Sequence, residues 1–164
     1  MIRRVLYLLL CLMMLPCVES IADDEAVHAR SLCAEIERYV DGVVDYTDTT
    51  CLPSPGGKEH TLAFIILAQQ PIFSVEASKK AWLMVVVGAI GKVVANHKPY
   101  DVSEMYVGDV NLVKNRKAFW LPGSVTKGPL KNVQDGLITL DEFYAHIQRE
   151  MKEKKMPQSP QGGA

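Results

Sequence analysis

The stretch AWLMVVVGAIGKVVA, Ala81–Ala95, decides the fold. It is the longest apolar run outside the N-terminus. Glu76, Lys79 and Lys80 before it, and Asn96, His97, Lys98 and Pro99 after it, fix its ends. Trp82 to Val87 is rich in β-branched and aromatic residues, which favours a strand. The unit from Glu76 to Asn96 is too long for one strand, however, since strands usually run about 3–10 residues. Ser74 is placed to cap a helix, Glu76 puts a negative charge in its first turn, and Asn96 and Pro99 supply a stop. The spacing predicts one buried central helix from about 75 to 96. Gly88 and Gly91 each cost up to about 1 kcal/mol there relative to Ala. Their spacing puts both on nearly one face, where a neighbouring element can pack closely. A membrane span needs about 20 apolar residues, and Lys92 interrupts this run.

Upstream, Thr61 to Ala68, TLAFIILA, has the length and the Ile pair of a buried strand, with a helix as the alternative. Before it, Asp24 to Val44 reads as an amphipathic helix. Ala26, Leu32 or Cys33, Ile36, Tyr39 or Val40, and Val43 recur at helical spacing. Tyr46 to Thr50 reads as a polar loop, and Pro53-Ser54-Pro55-Gly56-Gly57 as a breaker. Downstream, Val102 to Val113 reads as a strand with imperfect alternation. Lys114 to Lys117 is a polar turn, and Ala118 to Leu121 a second strand stopped by Pro122-Gly123. Ser124 to Val133 reads as a short helix or ordered loop interrupted by Gly128-Pro129. Thr139-Leu140-Asp141-Glu142 is a capping box, with Ile138 and Phe143 placed as its hydrophobic staple. It predicts a helix from 140 to about 153.

A helix among strands packs across a sheet face. The expected fold is therefore α+β: an N-terminal helix stapled by a disulfide, then strand, helix, strand, strand around the central helix, then a C-terminal helix. A mostly α chain is the alternative.

The first 22 residues carry the pattern of a secretory signal: Arg3 and Arg4, the apolar core Val5 to Leu15, then Ser20-Ile21-Ala22. The expected mature chain begins at Asp23 and forms one globular domain to residue 155, with a disordered tail over 156–164. Such a chain is periplasmic or secreted. Removing Arg3, Arg4 and Glu19 leaves 16 basic and 18 acidic residues. Their distribution is uneven. Residues 23–50 carry net −6, and residues 51–164 net +4. That balance lacks the strong basic excess of a nucleic-acid surface. Cys11 and Cys17 leave with the signal, so Cys33 and Cys51 pair in an oxidising compartment. On the chain-entropy view the bridge stabilises by roughly 3 kcal/mol.

Chemistry-bearing motifs are few. Asp135 to Phe143 resembles the second half of an EF-hand calcium loop. Its frame would begin at Lys131 and place Val133 third, where oxygen ligands are required. His28, His60, His97 and His146 show no paired metal spacing. No cofactor is implied. Asp109 interrupts a strand and reads as a bulge or edge charge. Asp109, Glu104 and His97 are the first candidates if the chain is an enzyme. The basic turn Lys114, Arg116 and Lys117 is the candidate partner contact.

Cys33, Tyr39, Gly42, Asp45 and Cys51-Leu52-Pro53 together resemble the cysteine-bridged core of small periplasmic immunity proteins of type VI secretion systems. The likeness covers residues 33–53. It implies a protein that binds and blocks a secreted toxin. The strand-rich part from 102 to 122 departs from those largely helical proteins, a second cysteine pair is missing, and no binding residues carry over. Three functions are expected in order: an exported, non-catalytic protein that captures or inhibits another envelope or secreted protein; a structural or secretion-accessory envelope protein; a small enzyme with an unrecognised site.

Overall fold

A computed structural model describes residues 25–53 and 60–155. The expected signal, the tail and most of the breaker cluster at 53–57 lie outside the described residues. The fold is α+β, as expected. Helix α1 covers residues 25–43. It is followed by β1 (Thr47–Pro53), β2 (Thr61–Ala68), α2 (Glu76–Asn96), β3 (Asp101–Asp109), α3 (Val110–Lys114), β4 (Lys117–Pro122), α4 (Ser124–Gln134), α5 (Leu140–Glu150) and β5 (Lys152–Lys155). The five strands lie side by side in chain order. Neighbours are antiparallel except β2 and β3, which are parallel. A parallel pair needs a crossover, and α2 supplies it.

Helices α1, α2, α4 and α5 cover one face of this sheet. Leu62, Phe64 and Ile66 of β2, Met105 and Val107 of β3, and Leu121 of β4 are fully buried there. They join Ile36 and Val40 of α1, Leu83, Val86 and Ile90 of α2, and Phe143 and Ile147 of α5 in one core. Cys33 of α1 and Cys51 of β1 form the expected disulfide, with Cα atoms 5.1 Å apart. Gly91 admits the predicted close approach: a Cβ there would fall 2.2 Å from Cδ2 of Leu130 on α4. Gly88 faces open space instead.

Several boundaries differ from the sequence reading. The expected loop over Tyr46 to Thr50 is strand β1, because Thr47, Thr49 and Cys51 face the core in alternation with exposed neighbours. Trp82 Nε1–H donates to Thr47 Oγ1 at 3.1 Å, so the polar strand is tied directly to α2. The predicted cap Ser74 does not cap α2. Its hydroxyl donates to the Pro71 carbonyl, and Val75 occupies the cap position without a side-chain bond. The expected strand through Val113 stops at Asp109. This residue is neither a bulge nor an edge charge: it is 1% exposed. Its carboxylate accepts from the amides of Asn111, Leu112 and Phe73. The first two bonds cap α3, and the third ties down the segment entering α2. The alternation in β3 is imperfect because the pairing register shifts between Leu62 and Ala63. Ser103 becomes the extra residue of a bulge, so Val102 and Met105 both face the core. Helix α4 runs unbroken through Pro129. Helix α5 ends at Glu150, and Lys152–Lys155 adds a strand that the sequence reading does not contain.

The capping box at Thr139 forms as expected, with the Glu142 amide donating to Thr139 Oγ1 and the Thr139 amide to Glu142 Oε2. The EF-hand-like stretch is thus a turn, with Gly136 at φ +69°, leading into a capped helix. The Thr139 amide, then its hydroxyl, hold the Glu142 carboxyl below the usual glutamate range. A group depressed in the folded state stabilises above its unfolded pKa, and that contribution fades as pH falls through the folded value. Thr139→Ala is expected to cost about 1 kcal/mol at neutral pH. Glu142→Gln is expected to flatten part of the stability loss below the ordinary glutamate pKa. Urea denaturation from pH 7 to pH 3 checks both. An unchanged acid slope in Glu142→Gln would refute the second expectation.

A candidate protein-docking face

Among the described residues, the second face of the sheet is covered only at one end. There α3 lies over β3 and β4, and Leu112 packs on Gly108 beside Leu67. This face presents Leu67 at the border of that cover, and beyond it Leu52, Ala63, Ile65, Tyr106 and Trp120. None of them belongs to the core cluster or packs against it. The positions between the buried ones on β2 are all partly exposed, yet they read Ala63, Ile65 and Leu67. A sheet with one solvated face normally alternates apolar-in with polar-out, and strands apolar on both sides belong to sheets covered on both sides. β2 has the composition of a doubly covered strand and the surroundings of a half-covered one. Contiguous apolar surface of this kind marks interaction sites.

The two aromatic rings are held in place. Tyr106 and Trp120 are direct cross-strand partners. Trp120 Nε1–H donates to Glu104 Oε2 at 2.6 Å. Burial first, then the neighbouring Glu104 carboxylate, raise the Tyr106 hydroxyl above the ordinary tyrosine range. Lys154 Nζ lies 3.8 Å from the centroid of the Trp120 ring. Such an arrangement contributes about 0.5–1 kcal/mol at an exposed site.

A basic border flanks the rings. The turn singled out in the sequence, Lys114, Arg116 and Lys117, closes α3 onto β4. Lys117 sits directly opposite Lys155 across the β4–β5 pair. The sequence reading saw half of this cluster; Lys152, Lys154 and Lys155 complete it. Among the described residues only Lys117 of this cluster meets a carboxylate, that of Glu153 at 2.8 Å. Lys79, Lys80, Lys127 and Lys131 elsewhere are each paired with a carboxylate, while Lys92 and Lys98 have none among the described residues. Like charges directly opposite on a sheet are unfavourable. Arg116 also holds φ +54°, in the left-handed region that suits Gly or Asn.

The edges of the sheet are less open than its face. On β1, the outward Cys51 amide donates to Glu37 Oε1 at 2.7 Å, and Pro53 has no amide to offer. β5 is four residues long and reads KEKK. Short, charged or proline-bearing edges resist strand addition.

The residues named for possible catalysis are not brought together. Asp109 faces the core side of β3, Glu104 the open side. His97 pairs with Glu35 of α1 at 3.3 Å, beyond the end of α2. Three of the four histidines do gather at that end, because Tyr100 contacts both His28 and His60, and His60 meets Glu25. Among the described residues no group of three His, Cys, Asp or Glu side chains could hold a metal ion. A shallow groove of about 500 Å³ between α4 and α5 is lined by Asn132, Ile138, Glu142, His146 and Arg149. Its carboxylate is committed to the cap of α5.

No helix among the described residues is long and apolar enough to cross a membrane. No known protein family, curated protein or solved structure matches this chain.

Proposed function

We propose that this chain is an exported, non-catalytic binding protein that captures or inhibits another envelope or secreted protein through the uncovered face of its sheet. One observation carries this reading: the partly exposed apolar surface of Ile65 and Leu67 on β2, whose composition calls for cover, continued by Tyr106 of β3 and Trp120 of β4. The disulfide supports an oxidising compartment. The resemblance of residues 33–53 to type VI immunity proteins favours the same class of function. The fixed aromatic rings support it further, since Tyr and Trp lose little conformational entropy on contact and dominate interface energies.

A tagged chain starting at Asp23 is expected to recover one partner at near-equal ratio from envelope and culture extracts. Ile65→Lys places a polar residue where solvated sheets normally carry one, so the fold should tolerate it. The same variant should lose the partner. Mass spectrometry of the captured material and a thermal scan of each variant check this. A partner retained by folded Ile65→Lys would rule out the open face as the site.

A further inference from the structure

Resting on that reading, we infer that the partner presents an acidic amphipathic segment. Its apolar side chains seat on Ile65, Leu67, Tyr106 and Trp120, and its carboxylates meet the basic border of β4 and β5. The charge of this border favours an anionic occupant. Among the described residues, Lys114, Arg116, Lys152, Lys154 and Lys155 have no carboxylate within ion-pair distance, and only Lys117 meets one. Lys117 and Lys155 are held opposite one another. Carboxylates arriving from outside relieve this repulsion, and they do so beside a low-dielectric apolar surface, where ion pairs gain strength.

Two other anionic occupants fit less well. A second copy would offer the acidic side of its own α1 and β1. Among the described residues most of those carboxylates are already engaged: Glu25 with His60, Glu35 with His97, Glu37 with the Cys51 amide, and Asp48 with Gln69. Of the described acids there, Asp41 and Asp45 remain, too few for five unpaired cations. An anionic membrane surface favours apolar groups that project into lipid. Here the apolar side chains stand on a sheet face and are each partly buried among their neighbours, so none projects freely for insertion into lipid. Strand addition is excluded by the blunted edges, so the segment lies across the face and does not extend the sheet.

The probes are two 18-residue helical peptides with the same leucine stripe, one with a glutamate polar face and one with a lysine polar face. Each is titrated into the chain from Asp23 onward while backbone amide resonances of Ile65, Leu67, Tyr106 and Trp120 are followed. The expected result is saturable binding of the glutamate peptide, with shifts concentrated at those residues. In Lys152→Glu/Lys154→Glu the affinity should fall by about tenfold or more, while the thermal midpoint is retained. Lys114→Glu/Arg116→Glu, on the turn, gives an independent reversal with the same expected direction. Equal binding of both peptides, or binding insensitive to both reversals, overturns the acidic assignment and leaves the binding face standing. Silence from both peptides counts against the face itself. Co-sedimentation with phosphatidylglycerol vesicles in place of peptide binding, or a dimer in sedimentation equilibrium that shields the same amides, overturns the proposal in favour of a membrane or a second copy.

Discussion

Gly123→Ala is expected to destabilise the domain by about 3 kcal/mol or more, at or beyond the upper end for overpacking. A Cβ at Gly123 would lie 1.8 Å from the Val102 carbonyl oxygen and 2.5 Å from its carbon. Both are backbone atoms of the bulged part of β3, so no rotamer change relieves the clash. The glycine cannot back away, because its amide donates to the Ser103 carbonyl at 2.9 Å. The bulge and the first turn of α4 interlock. Displacing one should loosen the register that turns both Val102 and Met105 inward. Gly88→Ala is the matched control: nothing lies within 4 Å of the added methyl, and alanine is the better helix former. That variant should be neutral or stabilised by up to about 1 kcal/mol. Urea midpoints of the two variants test the argument. Similar midpoints for both would sink it.

Asp109→Ala should cost about 4.5 kcal/mol or more, since bonds to a charged acceptor are worth roughly 1.5–3 kcal/mol each and three amides would lose theirs together. The carboxylate is buried, and it joins three segments that are otherwise separate: the end of β3, the start of α3, and the Phe73 entry to α2. Asp109→Asn keeps one acceptor oxygen but turns donor hydrogens toward an amide, and should lose about half as much. Denaturant unfolding gives both values. If alanine came within about 1 kcal/mol of the parent, Asp109 would be no more than a local cap.

These two residues also mark where sequence reasoning stopped. The long helix Glu76–Asn96, the disulfide, strand Thr61–Ala68 and the capping box were legible because each has a local signal: length, cysteine parity, an apolar run, a fixed spacing. β1 was not, since TDTTCLP turns two threonines and a cysteine toward the core and reads as a polar loop. β5 was not, since KEKK has no apolar residue and is held by backbone pairing to β4. Val110 to Val113 has the β-branched look of a strand, but the buried Asp109 cap overrides that propensity. Half of the candidate site was visible as a basic turn. The other half lies about 35 residues further along. The open face was hidden for a subtler reason. A run apolar at every position says that a strand should be covered on both sides, and only the structure reveals that, among the described residues, one side is left partly exposed.

The thinness of β5 has a kinetic consequence. It contributes no side chain to the core, its four residues are exposed, and its pairing with β4 is reinforced by one surface ion pair. Such a segment opens locally at a small fraction of the global free energy. Amide hydrogens of β5 should therefore exchange with solvent far faster than those of β2 and β3, by a route that leaves the rest of the sheet closed. Hydrogen exchange at neutral pH would detect this, and equal protection of β5 and β2 would refute it. Such opening would put three of the border's lysines on a latch, and a ligand that holds the latch shut would be bound by a population as well as by a surface.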